Sequence, residues 1–257
     1  ALFRCCMWKT SKRWYHQLGS PRYFYRFCEA VLPWLVPVSL ALLAVGLVWG
    51  LVYAPVERYQ GDSYRIIYIH VPASSGALMG YIAMGVAGLV ALVWRMKMAE
   101  VMLKALAPFG AVLAAVSLLT GALWGKPTWG TYWQWDARMT SMLILLFLYL
   151  GIMALQNAIR DPRQAARAAA LLAVVGVINV VIVKYSVEWL NTLHQGATLK
   201  VVGESSIDAS MKWPLLISMA GLWLLYAANV LMRARTEVLS RERRSGWVRR
   251  LVRGGEA

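Results

Sequence analysis

Acidic side chains are scarce: 12 Asp and Glu stand against 27 Lys and Arg in 257 residues, a net charge of +15. Charged residues of both signs make up only 15% of the chain, while 60% is hydrophobic. A soluble domain devotes about 25% of its residues to charge, so the chain has too little polar material to cover a water-facing surface. Cysteine is nearly missing: Cys5, Cys6 and Cys28 are the only three. They form no Cys-x-x-Cys pair, which excludes a disulfide framework and a thiol redox motif. No Gly-rich phosphate loop is present, so any ATP use belongs to another protein. No nucleic-acid-binding motif accompanies the positive charge, and no nucleic-acid partner is expected. The amino-terminal residues lack an apolar core before a small-residue cleavage site and are not expected to be a signal peptide.

What the chain has is apolar blocks of membrane-crossing length, with a mean hydropathy of +0.53. A hydrocarbon core about 30 Å thick needs roughly 20 apolar residues per helix. Blocks of that kind run over about 31–53, 68–94, 105–123, 139–159, 168–186 and 213–232. The expected fold is an all-α membrane protein, a bundle of six transmembrane helices. It comprises a basic arm over 1–30, a six-helix domain over 31–232 with outer loops at 54–67, 124–138 and 187–212, and a basic tail over 233–257. Lys and Arg number six in the arm, three each in the turns at 95–104 and 160–167, and eight in the tail, 20 in all. The outer loops hold six, Arg58, Arg65, Lys126, Arg138, Lys200 and Lys212, and Lys184 falls within the fifth block. By the positive-inside rule both termini are expected in the cytoplasm.

The outer side carries the chemistry. Residues 124–138 read Trp-Gly-Lys-Pro-Thr-Trp-Gly-Thr-Tyr-Trp-Gln-Trp-Asp-Ala-Arg, with four of the thirteen tryptophans, Trp124, Trp129, Trp133 and Trp135, inside twelve residues. An interfacial belt uses tryptophan too, but it does not need this density or the repeated Trp-Gly. Glycines and Pro127 are expected to prevent a regular helix here and to let the backbone approach a flat ligand, with indole faces supplying apolar area. Of three histidines, His16 lies in the arm as a solvated residue, while His70 and His194 fall on the same side as the tryptophans. Two neutral imidazoles over an aromatic shelf fit the axial positions of heme iron. Zinc lacks a third or fourth ligand of suitable type. Arg65 and Arg138 are either interfacial snorkelling arginines or clamps for a ligand's carboxylates. Asp136 and Glu188 are read as loop-orienting acceptors and not as catalytic groups, and Lys184 as a snorkelling lysine.

At these residues the chain resembles the CcmC family, heme-handling membrane proteins of the system I cytochrome c maturation pathway. The tryptophan segment matches that superfamily's signature, while the stretches around His70 (Tyr-Ile-His-Val-Pro-Ala, 68–73) and His194 (Asn-Thr-Leu-His-Gln-Gly, 191–196) match the family's two histidine contexts. The likeness runs from about Met7 to the sixth block. It implies heme b held at the outer face of the bacterial inner membrane with His70 and His194 as axial ligands. Trp124, Trp129, Trp133 and Trp135 would form the shelf, and Arg65 and Arg138 are the propionate candidates. It also implies transfer to a periplasmic heme chaperone of the CcmE type, with ABC-transporter subunits of the CcmA and CcmB types and a small CcmD-type subunit as partners. The pattern departs at Ser74, Ser75 and Gly76, where the family carries a tryptophan, and at Leu190, where it carries a second one.

Other readings of the same residues are a heme transporter subunit and an electron-transfer cytochrome b. The second normally buries histidine pairs on facing helices, and no histidine here falls deep in an apolar block.

Overall fold

The structure, a computed structural model, describes residues 19–189, 194 and 207–254. His16, Cys5, Cys6 and most of the loop expected at 187–212 lie outside the described residues. Among those described there is no strand, only one isolated bridge between Glu57 and Gly61. Six helices are long and apolar enough to cross a membrane, and the chain is a multi-pass all-α membrane protein.

Helix α1 (Pro21–Val48) starts on Ser20, whose side chain accepts from the Tyr23 amide, and ends in a π turn over Trp49–Tyr53. A short 3-10 segment (Asp62–Ile66) leads into α2 (Ile67–Trp94). Then come α3 (Lys97–Trp129), α4 (Ala137–Ala158), α5 (Pro162–Trp189) and α6 (Ala209–Arg241), with a short α7 (Gly246–Val252) in the tail. Helices α2, α3, α4 and α5 pack together, α6 closes them on one side, and α1 leans almost entirely on α6. Cys28, placed before the first span by the sequence, is buried within α1 against Leu231.

The tryptophan segment differs from its expectation. Helix α3 runs through Pro127 to Trp129 instead of stopping near 123. Pro127 removes one amide donor, but it sits in the last turns, where the helix has few bonds left to lose. The Thr128 hydroxyl donates to the Trp124 carbonyl at 2.7 Å, and Gly130, in the left-handed region at φ 79°, ends the helix with its amide on the Lys126 carbonyl. Only residues 130–136 are irregular.

Between hydrocarbon tails and apolar helices there is little hydrophobic drive, so packing and hydrogen bonds join the helices. Three buried tyrosines do this. Tyr81 of α2 fits over Gly176 of α5, Tyr149 of α4 over Gly110 of α3, and Tyr226 of α6 over Gly80 of α2. Each hydroxyl donates to a carbonyl on a different helix: Tyr81 to Leu172 at 3.3 Å, Tyr149 to Ala77 at 2.7 Å and Tyr226 to Leu106 at 2.8 Å. These locks fill the middle of the bundle and leave the chemistry at its ends.

Candidate functional site

One end of the bundle gathers the start of α2, the last turns of α3, the start of α4 and His194. His70, the fourth residue of α2, points its ring at α3. The hydroxyl of Thr120 donates to the Val116 carbonyl at 2.7 Å. With its single proton engaged, its oxygen accepts from His70 Nδ1–H at 2.9 Å. That fixes the tautomer and leaves the Nε2 lone pair available. Gly121 makes the room: a Cβ there would sit 3.1 Å from His70 Cε1.

His194 is held in the same way by a different group. Asp136, only 8% exposed, caps α4 by accepting from the Met139 amide with Oδ1 at 2.7 Å. Its Oδ2 accepts from His194 Nδ1–H at 3.0 Å. Burial pushes the His194 imidazole below its ordinary pKa, against the raising effect of the Asp136 bond and charge, and Arg138 adds to the lowering. The pair is therefore a neutral imidazole donating to a carboxylate. An imidazole anchored through Nδ1 is a typical metal ligand with its outer partner in place.

The two rings line one small cleft with Ser117, Gly121, Arg138 and Met142 among its walls. Its volume is about 30 Å³, which holds one water molecule. Arg138 is the cation of this cleft, and among the described residues no carboxylate lies within ion-pair distance of it. Arg65 is elsewhere. Its Nε donates to Asp62 at 2.9 Å and its Nη1 to the Gly50 and Leu51 carbonyls at 3.2 Å, so it closes the end of α1.

The tryptophans divide. Trp124 meets His70 edge-on at a ring separation of 5.8 Å, and Trp129 meets His194 at 4.7 Å. Trp133 and Trp135 pack on each other at 5.2 Å, and Trp135 is 75% exposed. Glu188 and Lys184 are both exposed. Sequence reasoning missed Thr120 and also Gln60, whose Oε1 accepts from Trp124 Nε1 at 2.8 Å. Thr120 stands four residues before Trp124, on the same helical face. Extending the helix to Trp124 would have revealed it. Beside Ser75 and Gly76, where the resembling family has a tryptophan, Trp223 of α6 donates its indole N–H to Ser75 at 3.3 Å.

The family model CcmC, described as heme exporter protein C, matches residues 14–249. A protein of that name from Escherichia coli (strain K12) is 49% identical over 246 residues, covering 96% of this chain and 98% of the relative. One from Haemophilus influenzae is 44% identical over the same shares. One from Bradyrhizobium diazoefficiens is 47% identical, covering 89% of this chain and 86% of the relative.

Proposed function

Since the chain belongs to the CcmC family, we propose that it handles heme in cytochrome c maturation, binding heme b at the outer face of the bacterial inner membrane and passing it to a periplasmic heme chaperone. One observation carries the reading. His70 and His194 are each anchored through Nδ1, and both line one cleft with Arg138, whose guanidinium has no carboxylate within ion-pair distance among the described residues. This donor set fits iron between two imidazoles and a propionate on a guanidinium. Trp124 and Trp129, one beside each histidine, would cover the macrocycle. The exposed Trp135 forms a rim on which a docking chaperone can approach. Arg65 already gives its Nε to Asp62 and its Nη1 to the Gly50 and Leu51 carbonyls, so a propionate would meet only its Nη2.

A cleft of about 30 Å³ does not admit a porphyrin, so loading requires the cleft to widen. The relatives' name speaks of export, and a transporter role is the second reading. The buried tyrosines that fill the middle of the bundle favour receipt and hand-off at one end over passage through this chain. CcmA-, CcmB- and CcmD-type subunits are the partners proposed to supply ATP use and assembly.

The test is an absorption spectrum of protein purified from cells that supply heme, beside His70→Ala and His194→Ala. A six-coordinate spectrum in the parent, weakened or shifted in each variant, is the expected result, followed by heme appearing on the added chaperone. A parent without heme, or variants with the parent's spectrum, would remove the ligand assignment.

A further inference from the structure

The opposite end of the bundle holds a far larger cavity, about 830 Å³. It opens where α2 turns into α3 and α4 into α5, with the last turns of α6 as the third wall. Its floor is apolar, with Leu92, Val101, Ala170 and Val238. Its rim carries Arg95, Lys97, Arg163 and Arg167, all exposed.

The acids nearby do not neutralise this group. Glu100 is taken by Arg241 Nη1 at 3.0 Å, and Arg241 Nε reaches Glu237 at 2.8 Å. Glu242 is the one further carboxylate in the lining. Among the described residues no carboxylate lies within ion-pair distance of Arg95, Lys97, Arg163 or Arg167. Arg95 also holds a left-handed backbone at φ 52°, the only described residue other than glycine to do so, a conformation disfavoured for any residue with a Cβ. The helices α3 and α5 both begin here, and their positive ends add to the field.

Four unpaired cations over an apolar floor, at the boundary of a membrane-spanning bundle, match a ligand with an anionic head and apolar tails. The exposed Trp94 and Leu171, adjacent in sequence to cavity residues, give such tails a flank. We propose that this cavity seats the phosphate headgroup of an anionic phospholipid. The apolar floor, and the lack of a Gly-rich phosphate loop in the sequence, favour a lipid over a soluble phosphate. The proposal uses none of the histidine geometry and stands or falls apart from the heme reading.

The experiment is native mass spectrometry of the full-length chain in detergent, titrated separately with cardiolipin, phosphatidylglycerol and phosphatidylcholine. The two anionic lipids should be retained and phosphatidylcholine lost. With each basic residue near an anionic surface contributing about a fivefold factor, Arg163→Gln with Arg167→Gln should weaken retention about thirtyfold. The charge-keeping pair Arg163→Lys with Arg167→Lys should retain lipid, which separates loss of the site from loss of the fold. Arg249→Gln with Arg250→Gln, removing equal charge from α7, should leave retention unchanged. Equal retention of phosphatidylcholine, or equal weakening by the two glutamine pairs, would overturn the proposal. Displacement of the lipid by excess inorganic phosphate would overturn it in favour of a soluble anion.

Discussion

Replacing the Thr120 hydroxyl with a methyl leaves the His70 Nδ1–H without its acceptor while keeping the side chain's shape. Losing such an outer partner typically costs a metal-ligating histidine about ten- to a hundredfold in affinity. Thr120→Val is therefore expected to weaken heme binding by that order and to shift the reduction potential of the bound heme, both measured on heme-titrated protein. An unchanged affinity and potential would show that Thr120 does not position His70. Thr120 is the cleaner target, because Asp136 also caps α4 and its loss would mix binding with helix stability. The candidate site was legible at this scale where residue types are rare. Three histidines and one dense run of tryptophans point to His70, His194 and residues 124–138 without any coordinates. Their partners were not readable. Thr120 and Gln60 are common polar residues whose roles come from contacts 50 and 64 positions away in the chain. Sequence leaves the two roles of Arg65 open, and its bonds to Asp62 and to the end of α1 come from the packing of the segment between α1 and α2.

The helices are joined by tyrosines seated on glycines, and this sets their tolerance to change. A methyl at Gly110 runs into the Tyr149 ring, and overpacking of this kind costs about 1–3 kcal/mol. Gly110→Ala should lower the thermal midpoint in detergent, while Tyr149→Phe, which keeps the ring and loses the bond to the Ala77 carbonyl, should cost about 0.6 kcal/mol. A Gly110→Ala midpoint equal to the parent's would show that the fit is not tight. All six spans were legible as apolar blocks, because crossing a hydrocarbon core demands length and composition before anything else. Their ends were not. Helix α3 continues six residues past the expected 123, to Trp129, and α6 continues to Arg241. Polar and aromatic residues near the membrane boundary stay helical when caps such as Thr128 and Gly130 serve the last turn.

At the scale of the whole molecule, the expected orientation, with both termini in the cytoplasm, rests on the sequence count of 20 Lys and Arg in the arm, two turns and tail against six in the expected outer loops. With Cys5, Cys6 and Cys28 replaced by Ser, Tyr59→Cys, at a position 87% exposed, should react with a membrane-impermeant thiol reagent in intact spheroplasts. Arg250→Cys should react only after permeabilisation, and the reverse pattern would invert the orientation. Which helix packs on which was beyond the sequence, since these spans are apolar on all sides and no face stands out. The contacts instead follow small residues whose partners are distant in the chain, such as Gly46 of α1 against Ser218 of α6. The small volume of the cleft that both imidazoles line bears on cargo economy. When only the open form accepts a ligand, the apparent dissociation constant is the intrinsic one divided by the open fraction. A resting state whose cleft is too small for its cargo thus restrains its own grip, and the tendency to close again pushes on whatever is held. On the proposed reading, the site is tuned as a donor and not as a store.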